Sequence, residues 1–350
     1  DNGMHLFKYI STKNYNDKQI YFVIKKDCED YQKMKQYGKV LPYNSFKYKI
    51  KFLLADKIIS SQADEFLTNA FGKKNKFYRD LYRFDFVFLQ HGIIIDDLST
   101  WLNIYNKNIR MFVTSVIGEY DSVINGKYGF TKEVVKLTGL PRYDNLTDEN
   151  KKIIAFMPTW RKEIATPPDR ETGIRAYSVD FKNSEYFKFY NKLINDKRIL
   201  TVMKNKGYKG LFVVHPSHVA NSIDFEKNDY IDIVDGFADY QEIFKTSSLL
   251  VSDYSSVPFD FAYLYKPVIY TQFDKENFFK SHLYQEGYFK YDKDGLGPVC
   301  KDYESTVDKI IDYINNDCKL DEKYKKRIDK FYKYHDKNNS KRVLEEIEKL

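Results

Sequence analysis

The chain has 350 residues, 43% of them hydrophobic and 17% aromatic, enough for a sizeable core in two domains of ordinary size; this excludes global disorder. No apolar run approaches the ~20 residues that a membrane span needs. The formal net charge of +7 suits an anionic partner, but Lys, Asn, Ile, Tyr and Phe are abundant throughout, and a compositional bias would produce the same excess.

No charged-then-apolar leader opens the chain, and a start at Asp1 without Met reads as a fragment or a processed start. Cys28, Cys300 and Cys318 are scattered, odd in number and without CxxC spacing. They read as lone thiols in a reducing, cytoplasmic compartment.

In chain order, short apolar runs predict strands at 19–24, 57–60, 84–90, 111–115 and 134–137. The stretch "GLPRYDNLTDENKK" that follows reads as a turn and a linker. A second series is predicted at 153–157, 211–215, 231–234, 249–252 and 267–270. Between the strands lie helical patterns: Tyr240, Ile243 and Phe244, then Val307, Ile310, Ile311 and Ile314. Asn338-Asn339-Ser340 would cap a last helix with Val343, Leu344 and Ile347 on one face. Alternation of this kind implies an α/β protein with parallel sheets covered on both faces.

Ligands of open α/β sheets bind outside the carboxyl ends of the strands. Here those ends are polar. The first series offers His91-Gly92. The second offers Pro158-Thr159-Trp160-Arg161, His215-Pro216-Ser217-His218 and Ser252-Asp253-Tyr254-Ser255-Ser256. The last precedes a predicted helix, so Ser255 and Ser256 are either plain caps or, with the helix start, donors to phosphate. Asp253 would repel phosphate and is expected to hold the turn. Asp260, one turn on, could accept from a ribose hydroxyl or simply favour the helix dipole. His91 titrates near neutrality and could take a proton from an alcohol, or could be a hydrogen-bonded histidine in a turn; Gly92 would allow close backbone approach. His215 and His218 offer a metal pair without an evident third ligand; a diphosphate donor set of His215, Ser217 and Arg161 is more natural. No Walker A, GxGxxG or GxSxG sequence occurs. The Lys-rich segments read as solvated faces, and no nucleic-acid surface is discernible.

Taken together and in order, "FLQHG", "TGLPRYD", "FMPTWR", "VVHPSH", "VSDYSSVPFDFAYLYKPVIY" and "HDKNNSKRV" resemble the CDP-glycerol glycerophosphotransferases, the bacterial teichoic-acid and capsule polyol-phosphate polymerases. The resemblance implies a GT-B-like fold: two Rossmann-like domains with parallel sheets facing a central cleft. Their expected extents are 1–145 on the acceptor side, with its first strand absent, 146–322 binding the nucleotide donor, and 323–350 crossing back. It implies transfer of glycerol phosphate from CDP-glycerol to an acceptor hydroxyl with release of CMP, with His91 and His215 catalytic. Thr159, Arg161, Ser217, Ser252, Ser255, Ser256 and Asp260 would bind the donor, and Gly92 and Asp96 would lie toward the acceptor. No metal or other cofactor is expected. The expected partners are a nucleotide-activated polyol, a lipid-linked or saccharide acceptor and the anionic inner face of the membrane. One departure bears on the acceptor: Ile93-Ile94-Ile95-Asp96-Asp97 replaces the family's usual Pro-Leu-Lys continuation. Two alternatives stay open: a GT-B transferase using a nucleotide sugar, and a non-catalytic polyanion-binding protein, which would show steep salt dependence.

Overall fold

Short strands, each too brief to be stable alone, are assembled into three sheets in a computed structural model that describes residues 1–13, 15, 17–169, 174–235, 238–281 and 285–350. The strands are β1 (Tyr21–Ile24), β2 (Lys39–Pro42), β3 (Lys57–Ser60), β4 (Asp85–Phe88), β5 (Met111–Thr114), β6 (Val135–Leu137), β7 (Ile153–Phe156), β8 (Lys209–Val213), β9 (Ile231–Val234), β10 (Ser247–Ser252), β11 (Val268–Thr271) and β12 (Val299–Cys300). The sheets run β1-β2, β3-β4-β5-β6 and β12-β11-β10-β7-β8-β9. Every pairing between these strands is parallel.

Two compact units result. One comprises Asp1–Ile94, Leu98–Asn145 and Tyr332–Leu350, the other Ile95–Asp97 and Leu146–Phe331. The expected extents put 95–97 on the acceptor side and start the closing segment at 323. In the structure 95–97 and the helix Glu322–Phe331 both belong to the second unit.

In the first unit, Phe86 and Phe88 of β4 and Phe112 of β5 pack with Val123, Tyr128, Phe130 and Val135. In the second, all six residues of β10 are buried, as expected of a central strand covered on both faces. Its core also takes Val307, Ile310 and Ile314, the predicted stripe of the helix Tyr303–Asn315. Full burial of each such side chain contributes roughly 1.5–3 kcal/mol. β2 and β12 escaped the periodicity reading for physical reasons. β2 is four residues with an exposed Lys39 and a terminal Pro42, and β12 is only two residues long.

Candidate active site

In the first unit, β4 ends at Phe88 and the chain turns through Leu89 and Gln90 into His91-Gly92. Gln90 has φ 68°, a left-handed conformation that costs a non-glycine residue on the order of 1 kcal/mol or more. The surroundings enforce it. The Gln90 amide donates to Glu119 Oε1 at 3.3 Å, and its carbonyl accepts from Asn2 Nδ2 at 2.7 Å. Glu119 is fully buried on the helix Ile117–Asn125 and accepts the backbone N–H groups of Ile94 and Ser115, both at 2.7 Å. Burial pushes its carboxyl up to about 7, against the pull of those backbone donors. The turn that carries His91 is therefore gripped from both sides.

The His91 side chain is 72% exposed, with Nδ1 3.1 Å from Asp1 Oδ2. Arg142, from the turn Pro141–Asn145, donates through Nη1 to the His91 carbonyl oxygen and stands 3.7 Å from Asp1 Oδ1.

The second unit gathers the other predicted residues at the carboxyl ends of three neighbouring strands, β7, β8 and β10. At their centre is Asp253. It is fully buried and accepts from the backbone N–H of Thr159 and Tyr254, both at 2.7 Å, from Arg161 Nη2 at 2.9 Å and from the Tyr190 hydroxyl at 3.2 Å. Asp253 thus holds the turn, as its repulsion of phosphate had suggested.

Arg161 differs from expectation. It is 1% exposed, locked between Asp253 and Asp274, with its guanidinium over the rings of Tyr186, Tyr254 and Phe278. Burial opposes its charge, but the two carboxylates outweigh burial and hold its pKa above the usual value. Its fork is spent inside the protein, so in this conformation it orders the loops and offers no open face to a diphosphate. Ser252 is also turned inward: fully buried, it donates to the Met157 carbonyl at 2.7 Å.

His215 lies two residues beyond β8. Its Nδ1 accepts the Ser217 N–H at 3.1 Å, which places the ring proton on Nε2 and makes that nitrogen a donor. The Trp160 ring stacks near it, with centroids 6.3 Å apart. His218 has another role. It is buried, and its Nε2 accepts the Arg161 N–H at 3.1 Å; burial, with nearby positive charge, lowers its pKa to about 3. A nitrogen committed in this way is not a metal ligand. Among the described residues no three His, Cys, Asp or Glu side chains group to hold a metal.

The helix Val257–Tyr263 is capped by the Ser255 hydroxyl, which accepts the Val257 N–H at 3.1 Å. Pro258 removes one orphan donor, and Ser256 makes no side-chain cap bond. Asp260 is buried in the first turn, where its charge suits the dipole. The Thr159 hydroxyl is buried and finds no hydrogen-bond partner among the described residues.

Asp96 lies with the second unit, in the segment whose Asp97 N–H donates to the Gln285 carbonyl at 2.9 Å. Burial, then repulsion from Glu286, pushes the Asp96 carboxyl up to about 7, with Lys290 opposing.

His91 in the first unit and His215 in the second each stand on a loop that follows a parallel strand. The sequence profile for CDP-glycerol:poly(glycerophosphate) glycerophosphotransferases matches residues 1–349. The chain belongs to this family.

The chain is 47% identical over 351 residues to the minor teichoic acid biosynthesis protein GgaB of Bacillus subtilis (strain 168), covering 100% of this chain and 38% of GgaB. It is 25% identical over 258 residues to the teichoic acid glycerol-phosphate primase of the same organism, covering 73% of this chain and 61% of the primase. It thus spans well under two thirds of GgaB. Among solved structures, the wall teichoic acid polymerase TagF superposes with a TM-score of 0.66 at 17% identity, covering 100% of this chain and 85% of that one. A UDP-GlcNAc 2-epimerase from Neisseria meningitidis superposes with a TM-score of 0.55 at 11% identity, covering 100% and 96%. These likenesses establish the fold.

Four residues around these strand ends were not foreseen: Asp1, Asn2 and Glu119 in the first unit and Asp274 in the second. Asp1-Asn2 before an apolar-periodic run is a helix-start signature. Nothing local shows that Asn2 reaches the carbonyls at positions 89 and 90.

Proposed function

We propose that this chain transfers glycerol phosphate, or a related polyol phosphate, from CDP-glycerol to an acceptor hydroxyl in teichoic acid or capsule-type polymer synthesis. The acceptor oxygen attacks the β-phosphorus. The new P–O bond forms as the bond from that phosphorus to the bridging oxygen breaks, and CMP leaves with the electron pair. The hydroxyl proton passes to His91. His215 donates from Nε2 to the diphosphate and stabilises charge growing on CMP. The observation that carries this reading is the Ser217 N–H bond to His215 Nδ1, which supports donation from Nε2. The unpartnered Thr159 hydroxyl, in the Pro158–Arg161 loop, supports a polar ligand at the same strand ends.

CMP release from CDP-glycerol with a lipid- or saccharide-linked acceptor measures the activity. His91→Ala should lower turnover roughly 10²–10⁴-fold and leave CDP binding largely intact. His215→Ala should weaken CDP binding in calorimetry. Near-normal turnover in His91→Ala would show that His91 is not the base. Thermal shifts with CDP-glycerol, CDP-ribitol and UDP-sugars identify the donor, and stabilisation by UDP-sugars alone would move the reading to nucleotide-sugar transfer.

We also propose peripheral contact with anionic membrane through the first unit. No helix among the described residues is long and apolar enough to cross a bilayer. On the helix Phe46–Leu53 and its cap, Phe46, Ile50 and Leu54 recur every four residues and are 80%, 41% and 71% exposed. Lys47, Lys49 and Lys51 flank them. Phe77 and Leu81 are exposed in a segment that also carries Lys73, Lys74, Lys76, Arg79 and Arg83. Apolar side chains set among cations fit an anionic lipid interface. Sedimentation with vesicles should depend on anionic lipid and fall for Ile50→Ser combined with Leu54→Ser; binding indifferent to lipid charge would remove the proposal.

A further inference from the structure

The mechanism asks His91 to accept a proton, and an exposed imidazole does so well only if the correct nitrogen faces the substrate. In the His91 turn, Nδ1 stands 3.1 Å from Asp1 Oδ2, hydrogen-bond distance for an N–H donating to a carboxylate. The carboxylate is itself held. Its Oδ1 caps the helix Asn2–Ser11 by accepting the Asn2 N–H at 2.7 Å, and Arg142 Nη1 lies 3.7 Å from the same oxygen. The next residue ties the same two elements together. The Asn2 side chain is fully buried, donates to the Gln90 carbonyl at 2.7 Å and accepts the Arg142 N–H at 3.2 Å. Gly3 N–H donates to Ser61 Oγ at 2.9 Å and anchors this helix start against the end of β3. Asp1 is therefore a fixed carboxylate on a rigid support, set against an imidazole whose side chain is 72% exposed. His5, on the helix Asn2–Ser11 itself, is buried.

We propose that Asp1 is a positioning residue for His91: its carboxylate takes the Nδ1–H of the imidazole, so that Nε2 meets the acceptor hydroxyl and receives its proton. The proposal rests on the reading of His91 as base. It assigns the two histidines opposite tautomers by opposite means. At His91 a carboxylate draws the proton onto Nδ1; at His215 a backbone N–H keeps it on Nε2. Arg142 stands 3.7 Å from Asp1 Oδ1 and, through the His91 carbonyl, keeps the backbone in register with it. Among the described residues, charged and titratable groups around His91 include Asp1 from the helix start, Arg142 from the turn Pro141–Asn145, and Glu119 beneath the loop through Gln90.

The test uses the intact protein with Asp1→Asn, Asp1→Ser and His91→Gln. Asn and Ser both cap helices well, so the structural task of Asp1 survives in each. Asp1→Asn should lower kcat about 10- to 100-fold, with CDP affinity and the thermal midpoint unchanged. The acid limb of kcat/KM against pH should also move to lower pH. That limb reports loss of a proton from the base, and the neighbouring negative charge that favours imidazolium has been removed. Asp1→Ser, too short to reach Nδ1, should match it. Wild-type kcat with an unmoved acid limb in Asp1→Asn overturns the proposal. So does a loss of turnover that is matched by weaker CDP binding or a lower thermal midpoint, because that pattern marks a structural role. If His91→Gln keeps wild-type turnover, the base assignment fails and Asp1 falls with it. If His91→Gln is inactive while Asp1→Asn is normal, Asp1 alone is refuted.

Discussion

Arg161 shows how far residue type can stand from residue role. A forked cation at a strand end, beside a helix start, has the chemistry of a phosphate ligand. In the fold it neutralises Asp253 and Asp274 inside a shell of rings. Removing it strands two buried carboxylates, so Arg161→Met should cost about 3–5 kcal/mol in urea unfolding. Arg161→Lys should recover little, because an ammonium cannot serve both carboxylates with the same planar geometry. The loss of turnover in these variants should follow the loss of folded protein. The Thr159 hydroxyl and the His215–Ser217 pair are groups at these strand ends that can meet a ligand. The residue types were legible in the sequence. Their allocation was not, since Asp274, the partner that consumes Arg161, lies 113 positions away.

At the scale of elements, the strands were legible because covered parallel strands are short apolar runs, and their ends were read to within about two residues. β8 is the instructive case: it begins at Lys209 rather than 211 and ends at Val213, which leaves His215 outside the ladder and able to form the turn with Ser217. The closing helix Asn339–Ile347 carries the expected Val343, Leu344 and Ile347, but its cap is not local. Asp144 accepts the N–H of Asn339 at 2.9 Å and of Ser340 at 2.7 Å, joining the "GLPRYD" and "NNSKRV" segments within one unit. Asp144→Ala should therefore cost about 1–2 kcal/mol, read as a lower thermal midpoint, and Asp144→Asn should cost less. Gly139 belongs to the same clasp: its φ is 81° and an added Cβ would lie 1.9 Å from Asn339 Oδ1. Gly139→Ala should be more damaging than the loss of the cap, by strain as well as collision.

For the whole molecule, sensitivity to acid follows from buried imidazoles. His5 in the first unit and His218 in the second each have a pKa lowered from 6.5 to about 3, burial being the largest cause. In the unfolded chain both take up protons below 6.5, while in the folded chain they do not until about 3. Their effect is to withdraw stability progressively as pH falls through that window. The urea midpoint should drop between pH 7 and pH 5, and His218→Gln should flatten that dependence; an equal drop in the variant would show that His218 is not a source. Composition, periodicity and the order of the polar strand ends determined the α/β class, the family and which residues deserved attention, because these are properties of neighbours along the chain and of burial on both faces of a strand. Only the tertiary structure decided which of those residues are spent on each other. Asp253, Arg161 and Asp274, like Asp1, Asn2 and His91, meet through folding alone, and a charge or an imidazole takes its function from whatever stands within about 3 Å of it.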